Sequence, residues 1–438
     1  MNYLVYGLGV SGLACVELLL NRKENVWVFD DDKLRLSELV NKGIVNSKCR
    51  VVKKLNKDTL QSIEAIILSP TVRLNKLNRL VNELDIKVFG EFEFASQVCK
   101  APIFGVTGTN GKTTTVNFLH QLCCFAGEKA HLVGNVGTPL SEIVDNIHST
   151  DVVVAELSNF QLEHSEKLKL KSAALTNIAP DHLDKYSSFE EYFLAKQNII
   201  SCVTDCVFFN YDDKNIRKLA TKCQRYQFFS TQYLPSEQNG LFIEQNDVYS
   251  KQNGHKTKVL SLDSFILKGA HNLSNLMCAI SLGLNTGLSA GEIESSLGKL
   301  TLPRHRLEFV KKVNGVEYYN DSKATNIHAV NSALANFRNR QVVLLMGGSD
   351  KGEDFSKFKL PQFVVTLITF GAMKNKIAKQ VKAACNVFRC ESLADAVWMA
   401  KKLALDVVLL SPGCASFDEF DSYAERGEYF CELVKEIS

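Results

Sequence analysis

One glycine-rich segment constrains the fold more than any other feature of the sequence. The apolar run 103–106 leads into Thr107-Gly108-Thr109-Asn110-Gly111-Lys112-Thr113-Thr114, and a helical pattern follows. In strand–loop–helix units of this kind, loop N–H groups cradle phosphates, a lysine reaches the outer phosphates and a hydroxyl binds Mg²⁺. The generic pattern has glycine where this chain has Val106, which indicates a particular subclass. The sequence therefore predicts a nucleotide-phosphate loop on an α/β sheet, formed by Gly108, Thr109, Asn110, Gly111, Lys112, Thr113 and Thr114.

A second glycine-rich turn lies near the N-terminus. Gly7-Leu8-Gly9-Val10-Ser11-Gly12 follows a strand-like run and opens a helical pattern, and Asp30 ends the next strand-like run, 26–29. This context is typical of a Rossmann-type nucleotide site, in which an acidic residue accepts hydrogen bonds from the ribose or base. The motif alone does not identify the nucleotide. NAD is the default interpretation, and a tight turn without a ligand is the alternative.

Strand-like runs alternate with helical patterns along all 438 residues, which predicts parallel sheets covered by helices and two or three domains. Residues 223–268 carry turn residues between short alternating runs and are expected to form a β excursion of the middle domain. The boundaries are expected near residues 96 and 302. The candidate strands are 3–6, 26–29, 65–68, a strand beginning near residue 103, 152–155, 173–177, 207–210, 342–346, 364–370 and 407–410.

Composition excludes several classes of protein. The formal net charge is only +3, so there is no overall basic field for nucleic acid. Thirteen scattered cysteines without a Cys-x-x-Cys motif indicate reduced thiols in a cytoplasmic protein, most of them in the core. The first residues read as a strand rather than a signal peptide, and no segment approaches the roughly 18–20 apolar residues of a membrane span.

Polar residues follow candidate strands of the middle series. Glu156 ends the run 152–155, at the edge where ligands of open α/β sheets bind, and is expected to share a Mg²⁺ with Thr113. His182 lies in a polar segment, where it binds a metal, orients a phosphate, or is simply a hydrogen-bonded surface residue. Lys196 lies in the helical pattern 189–202, and from the residues alone a solvated helix lysine is the simpler interpretation.

Further motifs follow the phosphate loop in a defined order. They are Gly134-Asn135-Val136-Gly137, Glu156-Leu157-Ser158-Asn159-Phe160-Gln161-Leu162, Asn177-Ile178-Ala179-Pro180-Asp181-His182-Leu183-Asp184, Ala195-Lys196, Gly269-Ala270-His271-Asn272, His305-Arg306, Asn320-Asp321-Ser322-Lys323-Ala324-Thr325-Asn326, Gly347-Gly348-Ser349-Asp350-Lys351-Gly352 and Ser411-Pro412-Gly413-Cys414-Ala415-Ser416-Phe417-Asp418. This set resembles the Mur ligases of peptidoglycan synthesis, and among them the enzymes that add D-glutamate. The resemblance covers essentially the whole chain, although the segment 69–73 lacks the family's usual glycine after Ser-Pro.

The resemblance implies an α/β protein of three domains. A Rossmann-like domain, 1–96, holds the UDP of a sugar substrate, which replaces NAD as the expected nucleotide. A central P-loop-type ATPase sheet, 97–302, binds ATP, and a C-terminal Rossmann-like domain, 303–438, brings the amino acid. The expected UDP-substrate residues are Gly7, Gly9, Ser11, Gly12, Asp30, Asn135 and His182.

The same resemblance assigns roles to further residues. Lys112, Asn135, His182 and Lys196 are the expected catalytic residues, and Lys196 is expected to be carbamylated by CO₂. Of two Mg²⁺ ions, one is expected on Thr113 and Glu156 and the other on His182 and the modified Lys196. Asn272, Arg306 and Asp321 complete the expected ATP site. The expected D-glutamate residues are Lys323, Thr325, Lys351, Ser416 and Tyr423.

These expectations describe an ATP-dependent ligase that adds D-glutamate to UDP-N-acetylmuramoyl-L-alanine through an acyl phosphate. It is expected to act as a cytoplasmic monomer without a nucleic-acid partner. The nearest alternatives are an L-alanine-adding ligase and a folylpolyglutamate synthase, and the N-terminal glycine turn disfavours the latter. An NAD-dependent dehydrogenase leaves Lys112 and Thr113 unexplained. A non-catalytic nucleotide sensor is disfavoured by Lys112, Glu156, His182 and Lys196.

Overall fold

The computed structural model describes residues 1–437 apart from 42–43, 71, 75–76, 164, 180–185, 187, 268, 351–352 and 382–384, with the backbone alone at 38, 40 and 41. Two of the predicted site residues, His182 and Lys351, therefore lie outside the described residues. The chain divides into two compact units. The first contains Met1–Ile178, Phe193–Ile266 and Ser274–Leu300, and the second contains Ala179–Tyr192, Leu267–Leu273 and Thr301–Ser438.

The N-terminal sheet has five parallel strands in the order β3-β2-β1-β4-β5. Both of its faces are buried, since Val5 and Ile67 pack on one side and Leu4 and Ile66 on the other. The strands are β1 (Asn2–Tyr6), β2 (Asn25–Phe29), β3 (Cys49–Val51), β4 (Ala65–Leu68) and β5 (Lys87–Gly90). The helices are α1 (Val10–Asn21), α2 (Lys33–Asn41), α3 (Lys57–Leu60), α4 (Asn78–Glu83) and α5 (Glu91–Val98).

The middle sheet has nine strands in the order β14-β13-β12-β11-β10-β9-β6-β8-β7, and only β12–β13 and β13–β14 pair antiparallel. The strands are β6 (Ile103–Thr107), β7 (Ala130–Gly134), β8 (Val152–Glu156), β9 (Ser172–Leu175), β10 (Val207–Asn210), β11 (Tyr226–Ser230), β12 (Gly240–Glu244), β13 (Asp247–Gln252) and β14 (His255–Ser261). The helices are α6 (Lys112–Phe125), α7 (Leu140–Ile143), α8 (Asn159–Glu163), α9 (Phe189–Gln197), α10 (Lys214–Ala220), α11 (Ala270–Thr286) and α12 (Ala290–Ser296).

The C-terminal sheet has six strands in the order β15-β16-β20-β17-β18-β19, and only β15 and β16 pair antiparallel. Apolar clusters cover both faces, with Leu344 and Leu409 on one side and Leu345 and Leu410 on the other. The strands are β15 (Glu308–Val313), β16 (Val316–Asn320), β17 (Val342–Gly347), β18 (Val364–Phe370), β19 (Asn386–Arg389) and β20 (Val407–Gly413). The helices are α13 (Ile327–Leu334), α14 (Lys374–Gln380), α15 (Leu393–Leu403) and α16 (Tyr423–Glu436).

The predicted strands are confirmed, with shifts at their ends. The run 173–177 was predicted too long, because β9 ends at Leu175 and the next two residues bind the phosphate loop. The chain breaks between α11 and α12 at Gly287, whose φ is +114°, and Ser289 then caps α12. The segment 223–268 does form strands, and they extend the middle sheet rather than standing apart from it.

Two further expectations concern composition. All thirteen cysteines are free thiols, and most of them are buried as predicted. Within the part of the chain that the structure describes, no helix is both long and apolar enough to cross a membrane.

Candidate active site

The predicted phosphate loop connects β6 to α6 and has a shape that requires glycine at two positions. Gly108 and Gly111 have φ values of +148° and +84°, which L-residues rarely adopt. A Cβ on Gly108 would lie 2.0 Å from Oγ1 of Thr176, and one on Gly111 would lie 2.2 Å from Oδ1 of Asn275. The loop is therefore closely enclosed by its neighbours, and it delivers the chain to the N-terminus of a 14-residue helix. The first N–H groups of such a helix have no partner inside the helix and attract anions.

Lys112 extends back across this loop. Its Nζ donates hydrogen bonds to the carbonyl oxygens of Gly108 at 2.9 Å and Thr109 at 2.8 Å. In the first turn of α6, the Thr114 hydroxyl is buried and finds no hydrogen-bond partner among the described residues. An ammonium group on the loop, the first N–H groups of α6 and an unused hydroxyl in the same helical turn thus lie close together in the chain. This set of donors fits the phosphates of a nucleotide.

Thr113 and Glu156 are brought into direct contact, as the sequence predicted for a shared metal ion. Oγ1 of Thr113 donates to Oε2 of Glu156 at 2.7 Å, and Nδ2 of Asn135 donates to the other oxygen, Oε1, at 2.9 Å. The contact arises because β8 lies beside β6 and ends at the same edge of the sheet, while β7 delivers Asn135 there. Glu156 is only 1% exposed. A buried carboxylate with hydroxyl and amide neighbours is a suitable ligand for a hard divalent cation.

The candidate cation site has few protein ligands among the described residues. No group of three or more His, Cys, Asp or Glu side chains forms a metal-binding cluster within the part of the chain that the structure describes. Thr113 and Glu156 are therefore the two predicted metal ligands that the structure brings together. This number is typical of Mg²⁺ bound with nucleotide, because Mg²⁺ keeps several waters and takes the remaining ligands from phosphates.

Lys196 is buried, so the interpretation of a solvated helix lysine is wrong. The side chain is 1% exposed, and Nζ donates to the carbonyl oxygen of Gly108 at 3.0 Å. The lysine lies on the face of α9 that packs inward, beside the buried Ala195 and Ile199. Lys112 and Lys196 therefore both bind the Gly108 carbonyl, and two lysine side chains meet at the phosphate loop.

The N-terminal glycine turn is also tightly built. Gly7 has φ of +93°, and a Cβ on Gly12 would lie 1.8 Å from the Gly7 carbonyl oxygen. The carboxylate of Asp30 accepts hydrogen bonds from the N–H of Leu8 at 2.6 Å and of Asp32 at 2.8 Å. In the described structure Asp30 thus holds the turn itself, and Gly9 and Ser11 belong to the same turn and the start of α1.

Arg35, on α2, lies beside this turn, and the sequence analysis missed it. Its guanidinium lies 3.8 Å from the Asp30 carboxylate and 3.6 Å from the position of a Cβ on Gly9. The side chain is about half exposed, which places a cation beside the turn within reach of an anionic ligand. The signal in the sequence was weak, because Arg35 lies in an ordinary helical pattern after three aspartates.

The second unit brings together two of the predicted ATP residues, Arg306 and Asp321. Buried Asp321 accepts hydrogen bonds from the Ser411 hydroxyl at 2.8 Å and the Leu307 N–H at 3.2 Å. Burial raises the pKa of Asp321 to about 7, and the nearby Arg306 opposes that shift. Nε of Arg306 is buried without a hydrogen-bond partner among the described residues, and its neighbours His305 and Leu307 have φ of +62° and +45°. A strained turn thus presents an arginine whose donors suit an anion.

His271 and Asn272 begin α11 within the same unit. Burial lowers the pKa of His271 to about 4, and the nearby Arg306 and His328 act in the same direction. Asn272, the predicted adenosine contact, is buried. A neutral imidazole beside an arginine leaves the positive charge of this cluster on Arg306 at neutral pH.

Two predicted D-glutamate residues contact each other. Nζ of Lys323 donates to the Tyr423 hydroxyl at 3.1 Å and lies 4.8 Å from the centre of its ring. Thr325 follows β16 and buried Ser416 follows β20, and these parallel strands are neighbours, so their loops share one edge of the sheet. The structure therefore brings Lys323 and Tyr423 together and places Thr325 and Ser416 at the same edge.

Arg426 on α16 is a second residue that the sequence analysis missed. It is fully buried and donates to main-chain carbonyl oxygens of Ser322, Gly347, Cys414 and Ala415, as well as to the Ser322 hydroxyl. These oxygens lie at the ends of β16, β17 and β20. A single guanidinium thus fixes the three loops that carry the predicted D-glutamate residues. No local motif indicated this, because Ser322 lies 104 positions from Arg426 in sequence.

Three family models match the chain in sequence order. They describe the Mur ligase MurD-like N-terminal domain at residues 1–89, the Mur ligase middle domain at 106–283 and the Mur ligase glutamate ligase domain at 305–414. The chain belongs to the Mur ligase family. Its three sheets fall almost entirely within these three matched regions, so it has the three-domain α/β fold of a Mur ligase.

Full-length relatives place the chain within this Mur ligase family. A protein from Desulfosudis oleivorans is 36% identical over 99% of this chain and 96% of its own length, and one from Thermoanaerobacter sp. strain X514 is 34% identical over 99% and 98%. Both are named UDP-N-acetylmuramoylalanine–D-glutamate ligase. The chain is therefore similar over its full length to the D-glutamate ligases among the Mur ligases.

Solved Mur ligase structures share the fold at low sequence identity. A pseudomurein peptide ligase type C from Methanothermus fervidus matches all of both chains with a TM-score of 0.64 and 17% identity. A MurF ligase from Thermotoga maritima, solved with ADP, matches 99% of this chain and 94% of its own with a TM-score of 0.61 and 16% identity. These matches confirm the predicted fold class.

Proposed function

We propose that the chain is an ATP-dependent, ADP-forming ligase that joins D-glutamate to UDP-N-acetylmuramoyl-L-alanine in peptidoglycan precursor synthesis. The observation that carries the proposal is the convergence of Lys112, Thr113, Glu156 and Asn135 on one loop of a Mur ligase fold. The full-length similarity to relatives named as D-glutamate ligases supports the choice of amino acid. The arginine-fixed loops of the second unit support a pocket for a dicarboxylate.

The chemistry begins by activating a carboxylate, which is a poor acyl donor. A carboxylate oxygen of the substrate attacks the γ-phosphorus of ATP, and the bond from that phosphorus to the bridging oxygen breaks. ADP is the leaving group, and the substrate becomes an acyl phosphate. Lys112 and the first N–H groups of α6 are proposed to bind the phosphates, and Thr114 to add its hydroxyl. Asn135 is proposed to lie near the reacting carboxylate. These groups offset the repulsion between two anions.

The second step forms the amide bond. The uncharged amine of D-glutamate attacks the acyl carbon, the bond to the phosphate oxygen breaks, and the nitrogen releases a proton. Lys323 and Ser416, with Thr325, Tyr423 and Lys351, are proposed to bind the two carboxylates of D-glutamate. Arg306, Asp321 and Asn272 are proposed to complete the ATP site.

Metal and carbamate belong to the same proposal. Bound Mg²⁺ supplies charge neutralisation, and Thr113 and Glu156 are the proposed ligands of one ion. His182 and a carbamylated Lys196 are proposed for a second ion. A carbamate forms when the lysine ammonium first loses a proton, the uncharged amine then adds to the carbon of CO₂, and the nitrogen releases a second proton, so an anion replaces the original cation. The burial of Lys196 at the phosphate loop supports a role for it in the site rather than on the surface.

The N-terminal turn is proposed to bind the UDP portion of the substrate through Gly7, Gly9, Ser11, Gly12 and Asp30, with Asn135 and His182 at its other end. Domain boundaries at residues 96 and 302, a monomeric state, a cytoplasmic location and the absence of a nucleic-acid partner complete the proposal. The matched regions 1–89, 106–283 and 305–414 support those boundaries.

Product analysis tests the proposal. The purified protein, incubated with UDP-N-acetylmuramoyl-L-alanine, D-glutamate, ATP and MgCl₂, is expected to yield a product heavier than the nucleotide substrate by one glutamate less one water. Mass spectrometry measures that difference. L-alanine and diaminopimelate are each tested in place of D-glutamate. If the protein adds one of these amines to the nucleotide substrate, the family assignment stands and the proposed amino-acid substrate is contradicted.

A further inference from the structure

Asn177, at the end of β9, binds the phosphate loop with both ends of its side-chain amide. Its Oδ1 accepts a hydrogen bond from the N–H of Asn110 at 2.9 Å, and its Nδ2 donates to the carbonyl oxygen of Asn110 at 2.8 Å. The main-chain carbonyl of Asn177 also accepts from the N–H of Thr109 at 2.8 Å. One side chain thus binds both the main-chain N–H and the main-chain carbonyl of Asn110, the two groups that a neighbouring β-strand would bind.

The neighbouring residue strengthens this arrangement. Oγ1 of Thr176 donates to the Asn110 carbonyl at 2.6 Å, and the same oxygen is the atom that excludes a Cβ at Gly108. Glycine adopts positive φ about as readily as negative φ, so Gly108 and Gly111 do not set the loop shape by themselves and surrounding contacts must select it. The end of β9 supplies those contacts from 67 positions away in sequence.

These contacts also determine which N–H groups face a ligand. The N–H groups of Thr109 and Asn110 donate to Asn177, so in this arrangement they shape the loop. The N–H groups of the first turn of α6, which have no partner inside the helix, are the donors proposed for phosphate. The orientation of that turn depends on the loop that precedes it.

We infer that Asn177 is a positioning residue that holds the phosphate loop in its nucleotide-binding shape. The inference rests on the proposed binding of ATP at this loop. Asn177 does not itself touch the reacting atoms. It reduces the freedom of the loop before the nucleotide binds, and ligand affinity improves when a site is already ordered.

Nucleotide binding tests this role directly. Isothermal titration calorimetry with the non-hydrolysable analogue AMP-PNP and MgCl₂ is expected to give a Kd about tenfold higher for Asn177→Ala than for the wild type, the effect of losing one to two hydrogen bonds from the loop. The matched control is Asn2→Ala, because the Asn2 amide also makes two hydrogen bonds, to Ser62 and Asn25, in the N-terminal sheet. The control is expected to keep the wild-type Kd.

Steady-state kinetics separates positioning from a general loss of structure. Asn177→Ala is expected to raise KM for ATP about tenfold and to leave KM for the UDP substrate unchanged. Asn177→Asp is a second variant of nearly the same shape. It keeps the acceptor and loses the donor, and it places a carboxylate against the Asn110 carbonyl, so its Kd for AMP-PNP is expected to rise at least as much. Thermal melting verifies that each variant is folded, and Asn177→Asp decides the question if Asn177→Ala does not fold.

A wild-type Kd for AMP-PNP in a folded Asn177 variant overturns the inference, and so does a wild-type protein that binds no AMP-PNP. The proposed function fails separately. A wild-type protein that binds AMP-PNP without consuming D-glutamate contradicts that function, while the comparison between Asn177→Ala and Asn2→Ala remains decisive for the loop.

Discussion

The hydroxyl of Thr113 and the carboxylate of Glu156 are joined by a hydrogen bond of 2.7 Å, although 43 positions separate them in sequence. The adjacency of β6 and β8 in the middle sheet brings them together. Asn135 binds the other carboxylate oxygen, so the orientation of Glu156 is fixed from two directions. A carboxylate held in this way can bind a cation without first losing side-chain freedom.

Glu156→Gln is expected to reduce kcat by at least about 100-fold and to move the Mg²⁺ dependence to higher concentration, because a neutral amide binds a hard cation weakly. The measurement is the initial rate of ADP formation across a MgCl₂ titration. The control is Glu128→Gln, which changes an exposed carboxylate just after α6 and is expected to behave as wild type. An unchanged MgCl₂ midpoint in Glu156→Gln would remove the metal-ligand assignment.

Lys196→Ala is expected to lose most activity, because it removes a buried cationic side chain, or its carbamate, from the phosphate loop. If the active form is a carbamate, a short-chain carboxylic acid added at high concentration should restore part of the rate by supplying the missing anion. Lys100→Ala, an exposed lysine, is the control for nonspecific activation by the acid. Full activity in Lys196→Ala without any addition would exclude the carbamate hypothesis.

Lys323→Met is expected to raise KM for D-glutamate by about tenfold or more with little change in KM for ATP, since it removes a cation from the proposed dicarboxylate pocket. The paired variant Lys359→Met changes an exposed lysine of the same sheet region and is expected to leave both constants unchanged. Steady-state kinetics with each substrate varied in turn makes the comparison. A rise in KM for ATP alone would place Lys323 in the other site.

Glu93 gives a pH prediction that is independent of catalysis. It lies on α5, is 3% exposed and accepts a hydrogen bond from the N–H of Lys167. Burial raises its pKa from the ordinary value of 4.5 to about 7. Between those values the folded protein holds a proton that the unfolded chain has lost, so the contribution of Glu93 to stability falls as pH rises through this window.

The thermal midpoint of the wild type is therefore expected to fall more between pH 5 and pH 7 than that of Glu93→Gln, whose amide has no proton to lose. The difference in unfolding free energy between the wild type and Glu93→Gln should change by up to about 1.4 kcal/mol per pH unit across this window. Glu237→Gln, at an exposed carboxylate, is expected to follow the wild type. Parallel curves for wild type and Glu93→Gln would show that Glu93 is ionised in the folded protein throughout this range.

Local patterns in the sequence predicted most of the fold. The run Val364–Phe370 coincides with β18, and Asn253-Gly254 forms the two-residue turn between β13 and β14 with φ of +51° and +83°. The positions of strands and tight turns depend on residues that are close together in sequence, so they can be predicted from a single sequence. The strands β11–β14 join the middle sheet through the parallel pairing of β11 with β10, a tertiary contact that strand and turn patterns do not specify, so this extension was not predicted.

The site was predictable only where a motif is contiguous. Lys112, Thr113 and Glu156 stand at recognisable strand ends, and the structure brings them together. Arg426 and Asn177 bind partners 104 and 67 positions away in sequence, so no local motif predicts their roles. The burial of Lys196 likewise follows from the packing of α9 against the phosphate loop, which its helical pattern did not reveal.

The most direct test of the central claim is release of phosphate from ATP by the purified protein, measured with each substrate present or omitted. Release is expected only when UDP-N-acetylmuramoyl-L-alanine, D-glutamate and MgCl₂ are all supplied, with one phosphate formed per amide bond. Equal release when L-alanine replaces D-glutamate, or release that needs no amino acid at all, would contradict the assignment of this chain as a D-glutamate ligase.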